Sequence, residues 1–151
     1  RVDTLEEHRQ RDPPLEPCQR RPEAVVDAVA KAQVPVGLAV EVELVRLPPG
    51  ARNFPFHSHA TEWELYLIVS GSGMMRLNRR RVTLAPGDCV MCPPGDAHQI
   101  HNTGDADLLY YVVANHAPTD ACHYPDSGKW GVRAIGKYFR VTPLDYYEGE
   151  E

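Results

Sequence analysis

The chain has 151 residues, the length of one domain with short appendages, and its 42% hydrophobic and 25% charged content is that of a globular protein with a real core. Sixteen lysines and arginines against 21 aspartates and glutamates leave a net charge of −5, which argues against nucleic-acid binding because phosphates need a basic face. Apolar runs such as Leu65 to Val69 are far too short to span a bilayer. With 14 Pro and 11 Gly the chain is punctuated too often for long helices. Cys18, Cys89, Cys92 and Cys122 are too few and too scattered for a disulfide scaffold. The chain opens Arg-Val-Asp-Thr without a basic-then-apolar leader, so a reducing cytoplasm is the expected compartment.

Residues 1–22 are polar and aperiodic and read as an extended arm. Pro22 to Gln33 places Val25, Val26, Val29 and Ala30 at helical spacing behind a proline suited to a first turn, which predicts one short helix. From Val36 the period changes to two, with Leu38, Val40, Val42 and Leu44 on one side. Further strands are predicted at Glu62–Val69, Met74–Leu77, Val82–Leu84, Asp88–Cys92, His98–His101 and Leu108–Val113. The separators are rich in Gly, Pro and Asn: Ser70 to Gly73, Asn78-Arg79, Ala85 to Gly87, Pro93 to Gly95 and Thr103 to Asp105. Short strands at near-regular spacing suggest a sandwich or barrel. The tail after Pro118 looks irregular, with one late strand at Tyr138–Val141. The expected organisation is an arm and short helix over 1–35, a barrel core over 36–115, and an extension over 116–151 packed on the barrel.

His57 and His59 are two apart on a predicted strand, so both side chains leave one face; Glu62, Glu64, Tyr66 and Ile68 share a face of the next strand. An H-x-H pair alone is equally at home as hydrogen-bonded core or surface histidines. Imidazoles and a carboxylate converging inside a barrel would instead make a divalent metal site. Cys89 and Cys92, three apart on a strand, point to opposite faces, which disfavours a zinc knuckle or redox pair. His101 stands three after His98 and is expected on the opposite face, while His8, His116 and His123 read as structural or exposed. Arg79 to Arg81 read as a solvated hairpin turn, and Met74 and Met75 as core. Leu65, Leu67 and Val69, opposite Glu64, need cover, which predicts a homodimer.

The stretch from Gly50 through His57, His59 and Glu64 to Gly71 resembles the first signature motif of the cupin superfamily, and Gly87-DCVMC-Pro93-P-Gly95-DA-His98-QIH-Asn102 resembles the second. One departure is visible: six residues separate Gly50 from His57 where the family has five. The resemblance implies an all-β double-stranded β-helix, or jelly-roll, with His57, His59, Glu64 and His98 as ligands of a divalent transition metal (Fe, Mn, Zn, Ni or Cu). It further implies an enzyme for a small polar substrate, either a dioxygenase or a Lewis-acid isomerase or lyase; a non-catalytic metal-dependent binder or sensor is the alternative. Since a ligating Glu64 cannot easily act as a base, Tyr66, Glu62 or a metal-bound hydroxide would have to, which makes Tyr66 and Glu62 the catalytic candidates of the chain. The Tyr-Pro-Asp stretch at 124–126 is similar to extensions in sugar-phosphate-isomerase-like cupins. Lys129 and Trp130 are either a pocket-mouth surface or a strut packed outside the barrel.

Overall fold

The computed structural model describes residues 25–33 and 39–150. Alternating apolar segments cut by Gly and Pro turns form two antiparallel sheets. In chain order the strands are β1 (Val25–Gln33), β2 (Ala39–Leu47), β3 (Arg52–His59), β4 (Glu64–Ser70), β5 (Gly73–Leu77), β6 (Arg80–Leu84), β7 (Cys89–Cys92), β8 (His98–His101), β9 (Leu108–Ala114), β10 (Ala121–Tyr124), β11 (Lys129–Val132) and β12 (Lys137–Arg140). One sheet runs β1-β2-β9-β4-β7, the other β12-β11-β10-β3-β8-β5-β6. This is the expected all-β jelly-roll, and no helix among the described residues is long and apolar enough to cross a membrane.

The core lies between the sheets and is built from alternate residues of each strand, including Val45, Leu47, Tyr66, Ile68, Met75, Leu84, Ile100, Leu108 and Tyr110. Period-two patterning sends these side chains inward and leaves their sequence neighbours outside. Met75 is in the core, but Met74 is only half-buried on the other side of β5. Cys92 is buried and Cys89 exposed, as their three-residue spacing predicts. Arg79 to Arg81 are exposed at the β5–β6 turn. Gly71 closes the turn after β4 with φ +80, and a Cβ there would stand 2.3 Å from the Asp107 carbonyl oxygen. Only glycine satisfies both the backbone and the close approach.

Two segments differ from the sequence expectation. The stretch predicted as a helix over 22–33 is, in its described part, the edge strand β1, antiparallel to β2 from Val25↔Arg46 to Gln33↔Ala39. Its residues fit either period, because Val26, Ala28, Ala30 and Ala32 also alternate with Asp27, Lys31 and Gln33, and the free edge of β2 decides the matter. Residues 22–24 and the predicted arm lie outside the described residues. The tail is less irregular than expected: besides β12 it contributes β10 and β11, which extend the second sheet from β3. Four-residue strands separated by Pro125 and Gly128 leave too short a period to read.

Candidate metal centre

β3 carries His57 and His59 inward, and β4 opens with Glu64. β3 has an irregularity between Asn53 and His57, where four residue steps on β3 pass two on β8. Phe54 takes φ +53 within it. The irregularity lies before the donor residues, and His57 and His59 are both buried beyond it. His98 is delivered by the Pro93-Pro94-Gly95 turn, which Gly95 (φ +89) allows and which is anchored by a Gly95 N–H bond to the His59 carbonyl at 2.8 Å. β3 and β8 then pair His57 directly opposite His98.

The four side chains are buried, and one donor atom from each lies within 4.8 Å of the others. His57 Nε2 is 3.2 Å from His59 Nε2, His59 Nε2 is 3.4 Å from Glu64 Oε2, and His98 Nε2 is 2.7 Å from the same oxygen. The outer nitrogens are all engaged: His57 Nδ1–H donates to the Pro55 carbonyl (2.8 Å), His98 Nδ1–H to the Asp96 carbonyl (2.9 Å) and His59 Nδ1–H to Asp120 Oδ2 (2.6 Å). With Nδ1 donating, each neutral ring turns a lone pair inward, where it meets other lone pairs and a carboxylate. His98 Nε2, despite its short approach to Glu64, makes no hydrogen bond. Three imidazole nitrogens and one carboxylate oxygen are the donor chemistry of a divalent transition ion, so the residues fit such a group.

The electrostatics follow from burial and crowding. Burial and the neighbouring His98 push His57 down to about 4, against the pull of Glu64. For His59 burial acts downward too, but bonds to Cys122, Glu64 and Asp120 outweigh it and raise the group to about 11. Burial acts upward on Glu64, yet His59 and His98 hold it well below the usual carboxylate range. A divalent cation held here would replace shared protons as the partner of these groups.

The remaining candidates separate. Tyr66 is buried, and its hydroxyl donates to Glu64 Oε2 at 3.0 Å; burial and the adjacent Glu64 push its ionisation well above the ordinary range. Tyr66 supports Glu64 from below and does not line the cavity of about 390 Å³ above the cluster. Glu62 does line it, 3% exposed and ion-paired to Arg133. His101 is half-buried on β8 and outside the cluster. His123 stacks on Trp130 (centroids 4.7 Å apart), and His116 pairs with Glu41. Lys129 lies over the rings of Tyr124 and Tyr138, at 4.7 and 5.3 Å from their centroids. Those two tyrosines form one wall of the cavity, while Arg133 and Lys137 stand beside it. The sequence reading missed Asp120, Arg133 and Tyr124, none of which belongs to either motif.

Residues 43–114 match the family of cupin domains. Over 74% of its length, and 74% of the other, the chain superposes on a cupin-superfamily sugar phosphate isomerase from Silicibacter pomeroyi (28% identity, TM-score 0.63). A protein assigned as a sugar phosphate isomerase from Acidithiobacillus ferrooxidans is similar over 70% of this chain and 72% of that one (27% identity, TM-score 0.65). An oxalate-binding protein from Thermotoga maritima is 36% identical over 69 residues, 46% of this chain and 56% of the relative. The chain spans about half the length of the curated relatives it matches.

Two outcomes are expected. His59→Ala and His98→Ala purified without chelator should each lose most bound metal by plasma emission, while His101→Ala keeps close to the wild-type content. In the chelated protein His57 sits below its unfolded value of 6.5, so the folded form binds fewer protons and stability falls as pH drops from 6.5 toward about 4. That window is worth on the order of 3 kcal/mol, and thermal unfolding of His57→Gln should show a flatter decline across it.

Proposed function

We propose, from the match of residues 43–114 to the family of cupin domains, that the chain is a metal-dependent enzyme acting on a small polar substrate by Lewis-acid isomerase or lyase chemistry. The observation that carries this reading is the cavity itself. It sets a buried carboxylate, Glu62, in the same wall as the His57–His59–Glu64 donors, with Arg133 bonded to it. A divalent ion held by His57, His59, Glu64 and His98 would polarise a substrate carbonyl or hydroxyl. Glu62 is then the group that accepts and returns a proton at its carboxylate oxygen, and Arg133 fixes its direction through a bond that also reaches the Ala117 carbonyl (3.0 Å). Tyr66 has the supporting part, holding Glu64 in its orientation. The volume of about 390 Å³ suits a compound of sugar size. Relatives named as sugar phosphate isomerases support an aldose–ketose type of substrate.

The dioxygenase branch, with iron in the centre, and a non-catalytic metal-dependent binder remain the competing readings, the latter favoured by the relative named as an oxalate-binding protein. Incubation of the metal-loaded chain with sugar phosphates in D₂O should give isomer and deuterium incorporation next to the carbonyl, read by proton NMR. Glu62→Gln should slow that exchange by roughly 10²- to 10⁴-fold at unchanged metal content. Saturable binding with neither exchange nor oxygen uptake would make the protein a binder.

The same reading has the chain as a homodimer in a reducing cytoplasm, where its free thiols Cys89, Cys92 and Cys122 stay reduced. Its support is the outer face of the first sheet, where Leu67 (41% exposed) pairs across strands with Tyr111 (38%), and Val69 and Met91 are also exposed. Light scattering at micromolar concentration should give twice the chain mass, and Leu67→Glu with Tyr111→Glu should return the monomer with the fold intact by circular dichroism.

A further inference from the structure

The three histidines are not held alike. The Nδ1–H groups of His57 and His98 meet neutral backbone carbonyls two residues before them, Pro55 and Asp96. His59 instead meets a carboxylate 61 residues away, carried by the extension beyond the cupin domain. Asp120 is fully buried, and both of its oxygens are used: Oδ2 accepts from His59 Nδ1–H at 2.6 Å, and Oδ1 accepts from the Thr61 backbone N–H at 2.8 Å and the Thr61 hydroxyl at 3.0 Å. Its backbone is clamped as well, with N–H to the Ala117 carbonyl (3.1 Å) and its own carbonyl receiving Arg133 N–H (3.0 Å). The Ala60 N–H bond to the Ala121 carbonyl at 2.8 Å completes the join between β3 and β10.

We propose that Asp120 is the positioning residue of the metal centre, fixing the tautomer and ring direction of His59 so that Nε2 faces the ion; this rests on the metal centre of the proposed function. A carboxylate is acceptor-only, so Oδ2 admits only the tautomer with hydrogen on Nδ1 and a lone pair on Nε2. Its charge also increases the donor strength of that lone pair, which a neutral carbonyl does less well. Thr61, on the chain between the ligands His59 and Glu64, fills the second oxygen and keeps the carboxylate from rotating. Burying a lone carboxylate without partners would be costly, and the donors from Thr61 and His59 remove that cost. Cys122 Sγ, 3.4 Å from His59 Nδ1 and 3.6 Å from Asp120 Oδ2, stands at the flank of the pair.

Asp120→Asn keeps the shape and changes the chemistry. With its carbonyl oxygen turned to the two Thr61 donors, the amide presents N–H to His59 Nδ1, which selects the tautomer with hydrogen on the metal-facing nitrogen. The expected result is a loss of about 10- to 100-fold in Zn²⁺ affinity by chelator competition, together with an altered visible spectrum of the Co²⁺-loaded form. In ¹⁵N NMR of the Zn²⁺-loaded wild type, His59 should carry its hydrogen on Nδ1. Cys122→Ala should bind Zn²⁺ within about twofold of wild type, the opposite of a ligand-positioning loss. The inference is overturned by Asp120→Asn binding Zn²⁺ as wild type with an unchanged Co²⁺ spectrum, by a bare Nδ1 in the NMR, or by Cys122→Ala alone producing the loss. Should Asp120→Asn fail to fold, the wild-type tautomer decides by itself. A wild type that takes up no Zn²⁺ or Co²⁺ overturns the proposed function and this inference together, whereas a metal-binding wild type with an indifferent Asp120→Asn overturns this inference alone.

Discussion

Three imidazole nitrogens and a carboxylate oxygen packed within 4.8 Å of one another, inside a barrel, set the terms for the rest of the molecule. Such groups repel through their lone pairs when neutral and lose hydration whether neutral or charged. They stay together because each is tied from behind: His57 to the backbone of its own strand, His98 to the backbone of the turn before β8, His59 to Asp120, and Glu64 to the Tyr66 hydroxyl. Those tethers need two sheets at a fixed separation and in a fixed register. The pairing of His57 opposite His98 in one sheet and of Glu64 opposite Cys92 in the other fixes the register within each, and the core packed between the sheets sets their separation.

The tail completes this arrangement. β10 continues the second sheet from the His59 end of β3, pairing Cys122 with His59 and His123 with Ser58, and brings Asp120 behind His59. β11 and the turn that follows it carry Arg133 to Glu62, while β10 and β12 supply Tyr124 and Tyr138 for the cavity wall. A tight approach holds this wall: a Cβ on Gly131 would come within 2.7 Å of the Tyr138 ring. The barrel strands thus bring the donor groups, and the tail strands bring the groups that aim them and enclose a cavity above them.

The parts legible in the sequence are those with a local rule. Period-two alternation and Gly/Pro turns gave the barrel strands, and two-residue spacing put His57 and His59 on one face. Three-residue spacing sent His101 away from His98 for the same reason. Asp120 and Arg133 follow no local rule, since their partners lie 61 and 71 residues away. Tyr66 and Glu62 share strand parity on paper, but β4 starts only at Glu64, so Glu62 comes from the preceding turn and reaches the cavity while Tyr66 points beneath the cluster. The 25–33 stretch supports both a helical and an alternating period, and only the open edge of β2 distinguishes them.

Placing this cluster in the interior also couples the site to the stability of the fold. Directly beneath it lie Tyr66, Tyr110 and Ile100, which belong to the same continuous core as Met75 and Leu108. Without a cation, His57 is held neutral by burial, Glu64 is ionised between His59 and His98, and His98 Nε2 has no hydrogen bond, so the cost falls on the packed layer next to the core rather than on a loop. Any ion that binds the folded chain and not the unfolded one adds its binding free energy to folding. Deprotonated ligands are required for that gain: the outward tethers of the Nδ1 hydrogens turn each Nε2 toward the cluster, and His59, raised to about 11 without an ion, would give up its Nε2 proton on binding one. The features that make the centre unfavourable when empty are therefore the ones that pre-organise it for a cation, and they persist because the two sheets leave the four groups no alternative partners.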